Sequence, residues 1–134
     1  MVRLPTEGEW ERMAGGVADE GRYPWDPPQG PATRQQAAIL ARANAYESGL
    51  SNTSPVSMYP WGASQPFGLM DMAGNVWEWT NSWYGEDKRG RVLRGGSWRG
   101  YVEDARCAYR DRYVPVGSRG RVGFRLVFPV VSGS

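Results

Sequence analysis

The sequence predicts a loop-rich α+β domain with two short helices and short antiparallel strands, and three observations carry that expectation. Two capping-box spacings, Thr6 to Glu9 and Thr33 to Gln36, mark two helix starts. Val76-Trp77-Glu78-Trp79-Thr80 alternates as a half-buried strand does. Finally, 18 Gly, ten Pro, seven Trp and seven Tyr in 134 residues favour many turns packed around large flat side chains over long regular elements.

The elements follow in order. The first helix starts at Thr6, carries Trp10 and Met13, places Glu7, Glu9 and Glu11 near the positive end of its dipole, and stops at Gly15-Gly16. Residues 21–31 hold four prolines and read as an extended loop anchored by Tyr23 and Trp25. A second helix of about ten residues is expected after Thr33, through Ala37, Ala38, Ile39, Leu40 and Ala41. Residues 48–66 read as a pinned surface loop around Met58-Tyr59-Pro60-Trp61. After the strand at 76–80 comes a charged turn at 85–90 and a strand at 91–94 that meets Gly95-Gly96. Residues 105–110 and 122–128 are the remaining expected strands. No internal repeat appears, so residues 1–134 read as one minimal domain.

Composition narrows the chemistry. The chain has no histidine, which removes the commonest general base and metal ligand and every Ser-His or Cys-His nucleophile. A single cysteine, Cys107, permits neither an intrachain disulfide nor a thiolate zinc site, and reads as a small buried hydrophobe. No apolar run approaches the length of a membrane span, and neither terminus shows a targeting signal. Phage-particle and bacterial-surface locations are both compatible with that. Charge is uneven: residues 1–98 carry nine Lys/Arg against eleven Asp/Glu, whereas residues 99–125 carry seven Arg against three acids. Those arginines are interleaved with Asp, Glu, Tyr and Val instead of forming a block, which disfavours nucleic acid as the partner.

Three segments carry a family resemblance: Arg3-Leu4-Pro5-Thr6-Glu7-Gly8-Glu9-Trp10-Glu11; Phe67-Gly68-Leu69-Met70-Asp71-Met72-Ala73-Gly74-Asn75-Val76-Trp77-Glu78-Trp79; and Val92-Leu93-Arg94-Gly95-Gly96-Ser97-Trp98 with Val122-Gly123-Phe124-Arg125. Together they resemble the formylglycine-generating-enzyme (sulfatase-modifying factor) family, in the family's order and over nearly the whole chain. The resemblance implies a variant of the C-type lectin-like fold, in a copy that begins at the usual middle of the family domain. Enzymatic members use a cysteine pair to bind copper; here the matching interval holds only Cys107, in a stretch resembling the family's Arg-Cys-Ala-x-Arg segment and not the active pair. Iron-dependent relatives use histidines, which this chain lacks. Neither copper nor iron is therefore expected, and the domain is expected to be non-enzymatic. Family members also bind calcium beside the Gly-Asn-x-Trp-Glu segment, and the matching positions are Asp71, Gly74, Val76 and Glu78. That all-oxygen set suits a hard cation. An alternative is that Glu78 pairs with an arginine and Asp71 caps a turn. A second family calcium site would retain Asn44, but the acidic loop that completes it is missing.

The interval 99–121 has a particular texture. Fixed-looking residues, such as Arg106, Cys107, Arg110 and Arg112, alternate with Arg99, Gly100, Tyr101, Val102, Asp111, Tyr113, Val114, Val116, Gly117, Ser118, Gly120 and Arg121. Each of the latter is a residue that an adenine-adenine-pyrimidine codon yields when its adenines are replaced; Lys, Gln, Glu, Met and Trp, which such codons cannot yield, are absent from the set. This resembles the variable protein of a diversity-generating retroelement, in which the varied residues form a ligand-binding surface. The resemblance implies a protein or cell-surface ligand held by those twelve positions. Two other readings remain open: an ordinary basic surface loop, and a calcium-containing lectin-like accessory or sugar-binding domain.

Overall fold

The computed structural model describes residues 1–16, 20–112 and 120–130. Helix α1 spans Glu7–Met13 and starts as its sequence dictates. The Thr6 hydroxyl accepts from the Glu9 amide at 3.1 Å, and the Glu9 carboxylate accepts from the Thr6 amide at 2.9 Å. Arg3 then grips the same carboxylate at 2.6 and 2.9 Å, so the helix entrance is fixed from both sides.

Helix α2 is shorter than expected, only Gln36–Leu40, and Thr33 does not cap it. The Thr33 amide and hydroxyl both donate to Asp26, and its hydroxyl oxygen accepts from the Trp25 indole at 3.1 Å. Asp26 is buried and also accepts from the Tyr23 amide. A buried carboxylate needs donors more than an exposed helix end needs a cap, so the threonine serves the loop.

Four strands make one sheet: β1 (Trp77–Trp83), β2 (Arg91–Arg94), β3 (Arg110–Arg112) and β4 (Val122–Gly123), in the order β3-β2-β1-β4. The β1–β2 and β2–β3 pairs are antiparallel, with Glu78 opposite Arg94 and Leu93 opposite Asp111. The β1–β4 pair is parallel, which differs from the antiparallel expectation. The chain leaves β3 at one edge and enters β4 at the other, and that crossover sets the direction. Beyond Gly123 the expected strand continues only as one bridge between Val127 and Arg3. Residues 105–110 also depart from expectation: the chain forms a 3-10 turn over Val102–Ala105, and the strand begins at Arg110. Val102 and Ala105, three residues apart, both face the core, which is helical spacing and not alternation.

The apolar interior divides into two clusters. Trp10, Ala14, Met72 and Cys107 form one, with Met13 and Leu69 at its margin. Tyr23, Trp25, Ile39, Ala43, Ala45, Ala73, Val102 and Ala105 form the other, in which the Tyr23 and Trp25 rings stack with centroids 5.0 Å apart. Met72 and Ala73, adjacent in sequence, feed opposite clusters, so the 70–76 loop is the seam between them. That seam is tight at Gly74, where φ is +74° and an added Cβ would strike the Asn44 carbonyl oxygen. The Gly74 amide donates to Gly95 and the Asn75 amide to Asn44, at 2.6 and 2.8 Å.

Candidate functional site

Two places gather the residues singled out by sequence. The first is the turn that carries Asp71, Gly74, Val76 and Glu78. Asp71 and Asn75 both adopt left-handed backbone conformations, with φ of +57° and +68°, which folds the turn back onto β1. Asp71, Val76 and Glu78 then line a cavity of about 230 Å³ together with Met70, Phe124 and Arg125.

The group seated among these carboxylates is a guanidinium. Arg125 donates from Nε to Glu78 Oε2 and from a terminal nitrogen to Glu78 Oε1, both at 2.7 Å. It donates further to the Met70 carbonyl at 2.9 Å. The Trp10 indole adds a third bond to Glu78, at 2.7 Å to Oε2. Burial pulls the Arg125 pKa down, but the hydrogen bond and charge of Glu78, with Asp71 behind it, outweigh that and raise it above the usual arginine value. Asp71 accepts from the Ser57 amide at 2.8 Å and so caps the neighbouring loop.

This arrangement commits Glu78 to partners within the chain. Calcium takes about six to eight oxygens with several left unpaired for it, whereas both Glu78 oxygens already accept from cationic or indole N–H groups. Among the described residues no group of three His, Cys, Asp or Glu is placed to hold a metal ion. For the side chains of the set Asp71, Gly74, Val76 and Glu78 the structure shows the pairing alternative: Arg125 delivers a positive charge to Glu78 from within the chain, and Asp71 caps a turn.

Cys107 is fully buried, donates weakly to the Ala14 carbonyl at 3.4 Å, and has its thiol pushed up to about 12 by burial. Such a group is a packing residue and not a nucleophile or metal ligand.

The second place is the surface that begins where β2 ends. Trp98 brings the two ends of the interval 99–121 together: its indole donates to the Gly120 carbonyl at 2.7 Å, and the Trp77 amide donates to the Arg121 carbonyl at 2.7 Å. Arg99, Gly100, Gly120 and Arg121 consequently lie at the two ends of one closed loop. Tyr101 stands out from it, 61% exposed. Asp111 lies apart, on β3, at the sheet edge opposite β4. Val102 is corrected: it is 4% exposed and packs in the Tyr23–Trp25 cluster, so its side chain is core and not ligand surface. Tyr113, Val114, Val116, Gly117 and Ser118 lie outside the described residues.

Two arginines of this interval, Arg106 and Arg110, bond to groups of the chain itself, as does Arg94 before it. Arg110 binds both oxygens of Glu7 at 2.9 Å and lies over the Tyr84 ring at 4.5 Å. Arg106 donates to the Glu103 carbonyl at 2.6 Å. Arg94, 1% exposed, holds Glu7 at 2.8 Å and Glu11 at 3.2 Å and also donates to the Cys107 carbonyl. Arg106 and Arg110 thus spend their donors on partners within the chain, one on carbonyls and one on a carboxylate. Sequence reasoning missed one exposed aromatic beside this surface, Tyr46, because only the fold brings residue 46 against residue 101.

Comparison with known proteins agrees with this architecture. Residues 1–130 match the family model described as the sulfatase-modifying factor enzyme 1-like domain. The serine/threonine-protein kinase pkn1 of Chlamydia caviae is 38% identical over 140 residues, covering 92% of this chain and 20% of the kinase. The formylglycine-generating enzyme of Thermomonospora curvata is 34% identical over 148 residues, covering 92% of this chain and 48% of the enzyme. Among solved structures, Treponema denticola variable protein 1 superposes with a TM-score of 0.71 at 30% identity, covering 93% of this chain and 46% of that one. The chain thus spans about half the length of the enzyme and the variable protein, and a fifth of the kinase. With the fold, the motifs and the family model all matching over nearly its whole length, the chain belongs to the sulfatase-modifying factor enzyme 1-like family.

Proposed function

We propose that this domain is a non-enzymatic ligand-binding protein whose diversified interval, 99–121, meets a protein or cell-surface ligand. The observation that carries the reading is the division of labour in that interval. Its framework arginines, Arg106 and Arg110, are engaged by partners within the chain, while Tyr101 projects into solvent from a segment whose start is tied to its end by Trp98 and Gly120. Exposed tyrosine on a fixed scaffold supplies contact area at low entropic cost, as in antibody loops. The likeness to a variable protein of Treponema denticola supports the same reading. The lone buried cysteine supports a non-enzymatic role, since copper chemistry on this fold would need an accessible thiolate pair.

Codon-by-codon sequencing of this gene and its flanks across the source population tests it. Variation confined to adenine-derived positions of 99–121, beside a template repeat and a reverse transcriptase gene, is the expected result. An invariant interval overturns diversification. It would favour the second reading, a fixed-ligand accessory domain, which the 38% identity to a segment of a much longer kinase supports.

A further inference from the structure

The loop that displays Tyr101 leans on a part of the chain outside the diversified interval. Tyr46 opens a 3-10 turn, Tyr46–Ser48, whose backbone is pinned by the Ala45 amide on the Ser48 hydroxyl and by a left-handed Gly49. The Tyr46 amide donates to the Gly100 carbonyl at 2.8 Å. The next residue, Glu47, accepts the Val102 amide on both carboxylate oxygens at 3.2 Å. Whatever side chain stands at position 101 is therefore presented between two backbone bonds to this turn. In this chain it is a tyrosine, and its ring meets that of Tyr46 edge-to-face, with centroids 5.5 Å apart and planes at 70°. Both residues remain well exposed, at 59% and 61%.

The charges around this pair have one sign in excess. Glu47, Glu103 and Asp104 lie on the two turns that carry it, and Arg99 is the one cation among the exposed residues of the adjoining stretch 99–104. Arg106, the next arginine along, points its guanidinium at the carbonyls of Glu103 and Glu20. Glu47 uses one lone pair of each oxygen on the Val102 amide and keeps further acceptor capacity. Exposed aromatic rings attract a positive charge through the ring quadrupole, and carboxylates on the same two turns add direct Coulomb attraction.

We propose that Tyr46, Glu47 and Tyr101 form a composite subsite, half fixed and half variable, that accepts a lysine or arginine side chain of a protein partner. The inference rests on the reading of 99–121 as the ligand surface and names the chemistry of this chain's ligand there. It also assigns Tyr46 and Glu47 to the binding surface although neither belongs to the diversified interval.

The probe is blocked hexalysine, with blocked hexaglutamate as control, titrated into the whole domain while the tyrosine ring resonances are followed by NMR. Hexalysine is expected to shift the Tyr46 and Tyr101 rings with a salt-dependent affinity, and hexaglutamate to leave them unmoved. Tyr46→Ala and Tyr101→Ala should each weaken hexalysine roughly two- to fivefold. Glu47→Gln, which keeps an acceptor for the Val102 amide, should weaken it while leaving the melting temperature in place. Absent ring shifts, equal affinity in Tyr46→Ala, or preference for hexaglutamate would each overturn the subsite. Failure of the diversified reading shows separately, as an invariant gene, and a display-selected partner that needs Tyr101 but neither Tyr46 nor a cation removes only the subsite.

Discussion

Arg125 holds Glu78 from 47 positions further along the chain, through two bonds of 2.7 Å that match the fork of the guanidinium to both carboxylate oxygens. The Glu78 side chain is 7% exposed, so removing its partner strands a charge in the interior. Arg125→Gln is expected to destabilise the domain by about 3–5 kcal/mol in urea unfolding. A loss under about 1 kcal/mol would place the pair with exposed salt bridges instead.

The same pairing predicts indifference to calcium. The wild-type melting temperature should be equal in chelator and in millimolar calcium, because the guanidinium already supplies the charge the carboxylates need. A dication bound at a hundred times its Kd would contribute about 2.7 kcal/mol, which for a domain of this size is a rise of several degrees. Such a rise would mean that calcium displaces Arg125.

Arg94 gives a sharper test of geometry. It is buried under the Trp10 ring, with its guanidinium carbon 5.2 Å from the ring centroid, and it divides its nitrogens between Glu7, Glu11 and the Cys107 carbonyl. A lysine keeps the charge but not the fork. Arg94→Lys should cost about 2–3 kcal/mol, the worth of charge-assisted bonds lost in the interior. Since Arg110 shares Glu7, the double substitution with Arg110→Gln should be non-additive.

Glu9 links stability to pH. Its bond to Arg3, with the Thr6 amide adding to it, lowers its pKa from 4.5 to about 2. A carboxylate depressed in the folded state stabilises fully above its unfolded value, and that contribution is lost as pH falls through the folded value. The window is therefore pH 4.5 down to about 2. Glu9→Gln retains an acceptor for the Thr6 amide, and its melting temperature should fall less steeply than wild type across that window. An unchanged slope would show that Arg3 and Glu9 stay solvated in solution.

How far the sequence reaches is clearest where one motif succeeded and its twin failed. Thr6 and Glu9 form their box because both lie at the helix start, where no buried carboxylate draws the Thr6 hydroxyl away and Arg3 binds Glu9 without displacing the Thr6 amide. Thr33 and Gln36 have an equivalent spacing, yet Thr33 is drawn to the buried carboxylate of Asp26, seven residues earlier. Single-sequence spacing does not reveal which polar group is buried. Val102 passed the codon test for a varied surface residue but faces the core, since codon chemistry is blind to burial. For the 71–78 turn, the residues brought together were legible from the family motif and an arginine partner for Glu78 was one of the two readings; which arginine was not legible, because Arg125 arrives from beyond a distant strand end. Tyr46 escaped notice for the same reason.

Helix α1 has an order-of-synthesis consequence. It leaves the ribosome well before its partners: the Glu7 carboxylate must wait for Arg94, 87 residues later, and for Arg110, 103 residues later. Trp10 points its indole at Glu78, 68 residues on, whose own counter-charge arrives last, with Arg125. A nascent chain thus carries an amphipathic helix with acids and a large aromatic unmatched until almost the whole domain has emerged. Folding of this domain thus waits until residues as far as Arg125 have emerged, and helix α1 is the segment that a chaperone would meet unpartnered.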